Sequence, residues 1–208
     1  MDEAWQGVFD KLAKQNQFHK ITFYTKDGYK DLTKITNNYL QSFTDIDTAI
    51  DVGCGPGFYV DLLEKNGIDT IGVDYSKKVI EKARKLYPEH DFKVANAYDL
   101  QFEDESFDVV LSIGLLQCVF DHEKVVDELC RISKKKVLLS TLFHDTPRND
   151  VMQALHKKLR YNSWPTRSYH PDELRPLFEK NGFSVKIKTH KDEGPRIKDG
   201  FFLVATRN

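Results

Sequence analysis

No apolar run in the chain approaches the roughly twenty residues that a membrane-spanning helix requires, and the mean hydropathy is -0.53. A membrane partner is therefore not expected. The opening stretch MDEAWQGVFDKLAKQ carries Asp2 and Glu3 and has no long apolar segment, so the reading predicts no secretory leader and a cytoplasmic protein. Cysteine is scarce. Cys54, Cys118 and Cys130 are odd in number and share no C-x-x-C spacing, which argues against a disulfide framework and against a zinc site. Three small reduced side chains and no metal are expected. Charge of one sign is missing too: 31 Lys and Arg stand against 32 Asp and Glu, a net charge of -1 and a pI near 6.7. That balance gives no chain-wide attraction for nucleic acid. Internal repeats and low-complexity tracts are absent.

What is present suits one well-buried core: 208 residues, 40% hydrophobic and 30% charged. From Thr48 onward, short Val- and Ile-rich runs alternate with longer segments of helical period. Strands are predicted at 48–53, 69–74, 92–96, 107–113 and 135–142, and helices at 57–66, 76–87 and 121–133. Ser76 is a candidate N-cap and Pro88 a stop. Strands separated by helices make a mostly parallel sheet covered on both faces, a doubly wound α/β fold. A final helix over 170–182 leads into two strands, 183–189 and 201–206, joined too closely for a helical crossover and so expected to pair antiparallel. One domain is predicted, with residues 1–46 as a helical cap, 47–143 as the core, 144–169 as an insertion or lid, and 170–208 as the last helix and hairpin.

The chemistry starts at Ala49-Ile-Asp-Val-Gly-Cys-Gly-Pro-Gly57, a strand that ends in an acid and breaks into glycines. The dinucleotide fingerprint G-x-G-x-x-G fails, because Phe58 holds its third glycine position. In an open α/β sheet the ligand lies beyond the carboxyl ends of the strands. The second predicted strand ends at Asp74-Tyr75, and a carboxylate there can accept from both hydroxyls of a ribose. Asp51 would repel a pyrophosphate, and Pro56 removes an N–H that a phosphate would need. The ligand thus carries a ribose and positive charge, as S-adenosylmethionine does.

These residues resemble the class I S-adenosylmethionine-dependent methyltransferases, especially the small-molecule branch that includes quinone-biosynthesis enzymes, across about 48–140. Ala49 to Gly57 is similar to the family's first motif, and Ile71-Gly-Val-Asp-Tyr-Ser76 to its ribose-binding strand end. Val94-Ala-Asn-Ala-Tyr-Asp-Leu-Gln-Phe102 resembles the segment that meets the adenine, with Asn96 where Asp is usual. Ser106 to Cys118 resembles the fourth strand and the turn lining the transfer site. The resemblance implies a Rossmann-like seven-stranded sheet in the order 3-2-1-4-5-7-6 with strand 7 antiparallel. It implies S-adenosylmethionine as cofactor and S-adenosylhomocysteine as product. The implied cofactor-binding residues are Asp51, Gly53, Cys54, Gly55, Gly57, Asp74, Tyr75, Asn96, Ala97, Ile113 and Gly114.

The acceptor is expected to be a small molecule methylated on O, N or C. Histidines common after the family's fourth strand are replaced by Gln117-Cys118, and no [Asp/Asn]-Pro-Pro-[Tyr/Phe] motif for methylating base amines stands there. Candidate acid-base residues are Tyr24, His144, Tyr161 and His170, each with a plain packing or surface reading beside it. The insertion sets five cationic side chains (Arg148, Lys157, Lys158, Arg160, Arg167) against Asp145 and Asp150, interleaved with aromatics. Arg160, Trp164, Arg167 and Tyr169 are the candidate acceptor contacts, with a solvated helix face as the alternative. An RNA or protein methyltransferase, or a non-catalytic cofactor-binding subunit, remains open, and the chain is expected to act as a monomer or homodimer.

Overall fold

The computed structural model describes residues 26–142, 168–190 and 200–208. The chain enters as helix α1 (Lys26–Gln41), whose Leu32, Ile35, Thr36 and Leu40 recur at helical spacing and are buried. It continues as β1 (Thr48–Val52), α2 (Phe58–Lys65), β2 (Asp69–Asp74), α3 (Lys77–Leu86), β3 (Asp91–Val94) and β4 (Phe107–Ile113). A 3₁₀ turn over Leu116–Cys118 precedes α4 (His122–Ile132), β5 (Ser133–Leu142), α5 (Pro171–Glu179), β6 (Phe183–Thr189) and β7 (Gly200–Arg207).

Local signals account for the helix ends. The Ser76 hydroxyl accepts from Val79 N–H at 3.3 Å, and the Asp121 carboxylate accepts from Lys124 N–H at 3.0 Å. Pro171 opens α5, where its missing N–H costs nothing.

All seven strands form one sheet in the order β3-β2-β1-β4-β5-β7-β6. β1 pairs parallel with β2 and β4, β2 with β3, and β4 with β5, while β7 runs antiparallel to both β5 and β6. The carboxyl ends of β1 to β6 therefore share one edge of the sheet. Central strands β1 and β4 are buried almost throughout, as strands covered on both faces must be. One face packs Ile50, Val110, Val137 and Leu203 against α4 and α5. The other packs Ala49, Val109, Leu111, Leu138 and Phe202 against α1 and α2.

Some expected boundaries move. The first strand stops at Val52 rather than residue 53, because Gly53 turns to φ +81°. The third ends at Val94 rather than 96. Asn96 leaves the strand because its side-chain oxygen accepts from Tyr98 N–H at 3.1 Å, a local turn that competes with strand pairing. Within the expected N-terminal cap, the described part is a sheet-covering helix: Tyr39 packs on Phe202 with ring centroids 5.3 Å apart, and Lys136 lies over the Phe43 ring.

Candidate active site at the carboxyl edge of the sheet

The loop between β1 and α2 is built by three glycines that all adopt positive φ: Gly53 at +81°, Gly55 at +53° and Gly57 at +93°. An L side chain is strained in that region, so glycine is required. Space adds a separate constraint at two of them. A Cβ on Gly53 would touch Leu115 at 3.1 Å, and one on Gly57 would overlap the Phe92 ring at 2.6 Å. At Gly55 no atom of the described residues lies within 4 Å of such a Cβ. The middle glycine thus faces open space while its neighbours are locked to the protein.

Asp74 fastens this loop from the next strand. Its Oδ2 accepts from Gly55 N–H at 3.1 Å and its Oδ1 from Ser76 N–H at 2.9 Å. Burial pushes its carboxyl up to about 6, although the Ser76, Gly55 and Tyr75 N–H groups all favour the charged form. Tyr75 follows it, half-buried. Asp51 sits behind the loop at 1% exposure, and its Oδ2 has no hydrogen-bond partner among the described residues. Burial first, and then the Asp74 charge, push the Asp51 carboxyl up to about 8. Cys54 is buried, and its thiol is pushed up by burial and by both carboxylates, so it is an inert packing group. Phe58 joins an aromatic contact instead of a nucleotide: Tyr29 of α1 meets it edge-on at 5.4 Å.

Two further turns reach the same edge. After β3, Asn96 and Asp99 form an isolated bridge, and Ala97 is buried. α4 holds this segment from behind: Arg131 donates to the carbonyls of Leu100 and Phe102, and Glu128 accepts from Leu100 N–H at 2.7 Å. Burial alone would raise the Glu128 carboxyl, but Arg131 and the Leu100 N–H hold it below its ordinary value. After β4, Ile113 leads into Gly114, which has φ +80° and donates to Ser140 O at 2.8 Å. The Tyr98 hydroxyl accepts from Phe120 N–H at 2.9 Å and ties the two turns together. All the expected cofactor-binding residues therefore lie at the adjoining carboxyl ends of four strands, β1 to β4, along one edge of the sheet. The amide oxygen of Asn96, expected to accept from the adenine amino group, already accepts from Tyr98.

The acceptor candidates fare differently. Tyr24, His144, Tyr161, Arg160, Trp164 and Arg167 lie outside the described residues. His170 caps α5, its Nδ1 accepting from Asp172 N–H at 3.3 Å. Tyr169, expected to stack on an acceptor, is instead a core residue. It has no exposed surface, packs on His122 and donates its hydroxyl to Leu116 O at 2.8 Å. Gln117 is buried and accepts from Thr141 Oγ1 at 3.3 Å. Asp61, Glu89 and His90 bring their ligating atoms within 4.8 Å of one another, but Lys65 and His90 already engage the two Asp61 oxygens.

One buried polar group is not singled out by the sequence. His190, at the end of β6, reaches across Gly200 so that its Nε2 lies 3.0 Å from Ser140 Oγ. Burial drops its imidazole to about 4, so it is neutral. A lone histidine after a lysine-bearing strand carries no signal. Only the pairing of β5, β7 and β6 puts Gly200 beneath the ring.

Residues 50–141 match the model of a family described as a methyltransferase domain. The probable S-adenosylmethionine-dependent methyltransferase Rv3030 of Mycobacterium tuberculosis is 29% identical over 151 residues, which are 73% of this chain and 54% of that protein. The O-methyltransferase rstn1 of Aspergillus nomiae is 28% identical over 147 residues, 65% of this chain and 64% of its own length. The chain thus spans about half to two-thirds of these relatives. Among solved structures, the magnesium protoporphyrin IX methyltransferase of Synechocystis PCC 6803, with bound S-adenosylhomocysteine, shares the fold with a TM-score of 0.71 at 16% identity, covering 99% of this chain and 94% of that one. Among the described residues no helix is long and apolar enough to cross a membrane.

Proposed function

We propose, for a chain that belongs to the class I S-adenosylmethionine-dependent methyltransferases, that it binds S-adenosylmethionine at the β1, β2 and β4 strand ends and transfers the methyl group to a small-molecule acceptor. The observation that carries this reading is the buried oxygen of Asp51 behind a glycine loop, unpartnered among the described residues, with a second carboxylate, Asp74, bonded to that loop from the end of β2. A phosphate would be repelled by either carboxyl group once ionised. A cation with a ribose satisfies both. Likeness to an O-methyltransferase supports an oxygen acceptor within that class.

Bound S-adenosylmethionine supplies an activated methyl: the acceptor's lone pair forms the new bond as carbon–sulfur breaks, leaving neutral S-adenosylhomocysteine and, from an O–H or N–H acceptor, a proton to water. The protein's own contribution is alignment and exclusion of water, a source of about 7 to 11 kcal/mol in well-oriented reactions. Gly55 would leave room for the ligand beside the loop, Asp74 would meet its ribose hydroxyls, and Asp51 would face its positive end. The Asn96 turn borders the adenine, and Ile113-Gly114 floors the transfer site. Arg160, Trp164 and Arg167 of the insertion supply the acceptor contacts. Calorimetry with S-adenosylmethionine and, separately, NAD tests the reading. Saturable binding of the first with none of the second is expected, and the reverse preference would refute it.

A further inference from the structure

The two carboxylates of the loop differ in what surrounds them. Asp74 is half-buried and held by backbone N–H groups. Asp51 is fully buried, pairs in register with Gly72 of β2 and Leu111 of β4, and keeps one oxygen without a donor among the described residues. Among the described residues, the titratable groups that interact with Asp51 are Asp74 of β2, Cys54 of the loop and Tyr29 of α1, with Tyr59 of α2 and Tyr87 beyond α3 acting on Tyr29. Every one is an acid, so none can supply positive charge. Two adjacent carboxylates in such a place do not both ionise readily, and the proton settles on the one with fewer donors.

We propose that the free site stores a proton on Asp51 and that the cationic cofactor expels it on binding, so that affinity for S-adenosylmethionine rises with pH. The proposal rests on the cofactor reading above and adds a charge switch to it. Burial and the Asp74 charge raise the Asp51 carboxyl to about 8 and burial raises Asp74 to about 6, which places the exchange across neutrality. Positive charge arriving beside Asp51 reverses that shift, because an opposite charge favours the ionised form. Below the free value of Asp51, each unit of acidity then makes the proton a stronger competitor.

The test is titration calorimetry of S-adenosylmethionine into the intact chain near pH 6, 7 and 8, each in two buffers of different ionisation enthalpy. Release approaching one proton per ligand near pH 7 is expected, with affinity rising up to about tenfold per pH unit. Asp51→Asn should lose both the release and the slope. Should that variant fail to fold, the buffer dependence of the unmodified chain decides alone. Protonation of the ligand's own amino group would register as uptake, the opposite sign, so net release comes from the protein. Binding with no proton release and no pH dependence overturns the proposal and leaves the cofactor reading intact. An absence of binding heat at every pH overturns both.

Discussion

Asp74 accepts a hydrogen bond from the N–H of Gly55, 3.1 Å away and nineteen residues earlier in the chain. One carboxylate therefore shapes the glycine loop, and in the proposed function it also meets the ribose. Replacing it with alanine should weaken S-adenosylmethionine binding by about 1 to 3 kcal/mol, the loss expected for hydrogen bonds to a charged acceptor. Calorimetry on Asp74→Ala measures this directly. Unchanged affinity would remove Asp74 from the site.

The glycines separate binding from folding. Gly55→Val puts a side chain into open space at φ +53° and should keep the fold, at about 1 to 2 kcal/mol of backbone strain, while abolishing cofactor binding. Gly57→Ala drives a methyl group into the Phe92 ring and should lower the melting temperature more. Thermal unfolding with and without S-adenosylmethionine reads both. A Gly55→Val protein of normal affinity, or a Gly57→Ala protein more stable than Gly55→Val, would contradict the loop's division of labour.

Asp51 also makes the free protein's stability depend on pH. Its carboxyl lies at about 8 when folded, against an ordinary value of 3.8. Between those limits the native state holds the extra proton, so stability is greatest on the acid side and falls as pH rises through the window, by up to about 1.4 kcal/mol per unit. Asp74 adds in the same direction up to about 6. The ligand-free Asp51→Asn variant should flatten this slope and exceed the parent in denaturant midpoint near pH 8. Equal slopes in the two proteins would show that Asp51 is ionised throughout.

Gly200 lies under the His190 ring, inside contact distance of any Cβ placed there. Gly200→Ala should displace the imidazole from Ser140 and cost about 1 to 3 kcal/mol in chemical denaturation. His190→Ala in the same background should recover part of that loss by removing the clash. A neutral Gly200→Ala would mean the ring is not seated over β7.

Much of this was legible beforehand because the signals were local. Alternating apolar runs gave β2 and β4 to the residue, and Ser76 and Asp121 marked helix starts through their own side chains. The place of Asp51 and Asp74 at one edge was legible because the strand ends of this fold gather there, and their proposed part in binding is what the variants above test. What escaped depends on partners distant in sequence. Tyr169 reads as a stacking aromatic in a basic segment, yet it is set by Leu116 and His122 across the fold. Arg131 and Glu128 look like an ordinary helical pair until Arg131 is seen to donate to the carbonyls of Leu100 and Phe102 and Glu128 to accept from Leu100 N–H. His190 acquires its role only when β6 pairs with β7.

The central claim is methyl transfer to a small molecule, and the most direct measurement follows the methyl group. The chain is incubated with S-adenosylmethionine labelled in its methyl carbon and a cell extract separated into metabolite, RNA and protein fractions, with Gly55→Val as the control. Label should appear in a discrete compound of the metabolite fraction, and only with the unmodified chain. Label confined to RNA or protein, or cofactor bound with no label leaving it, would contradict the account.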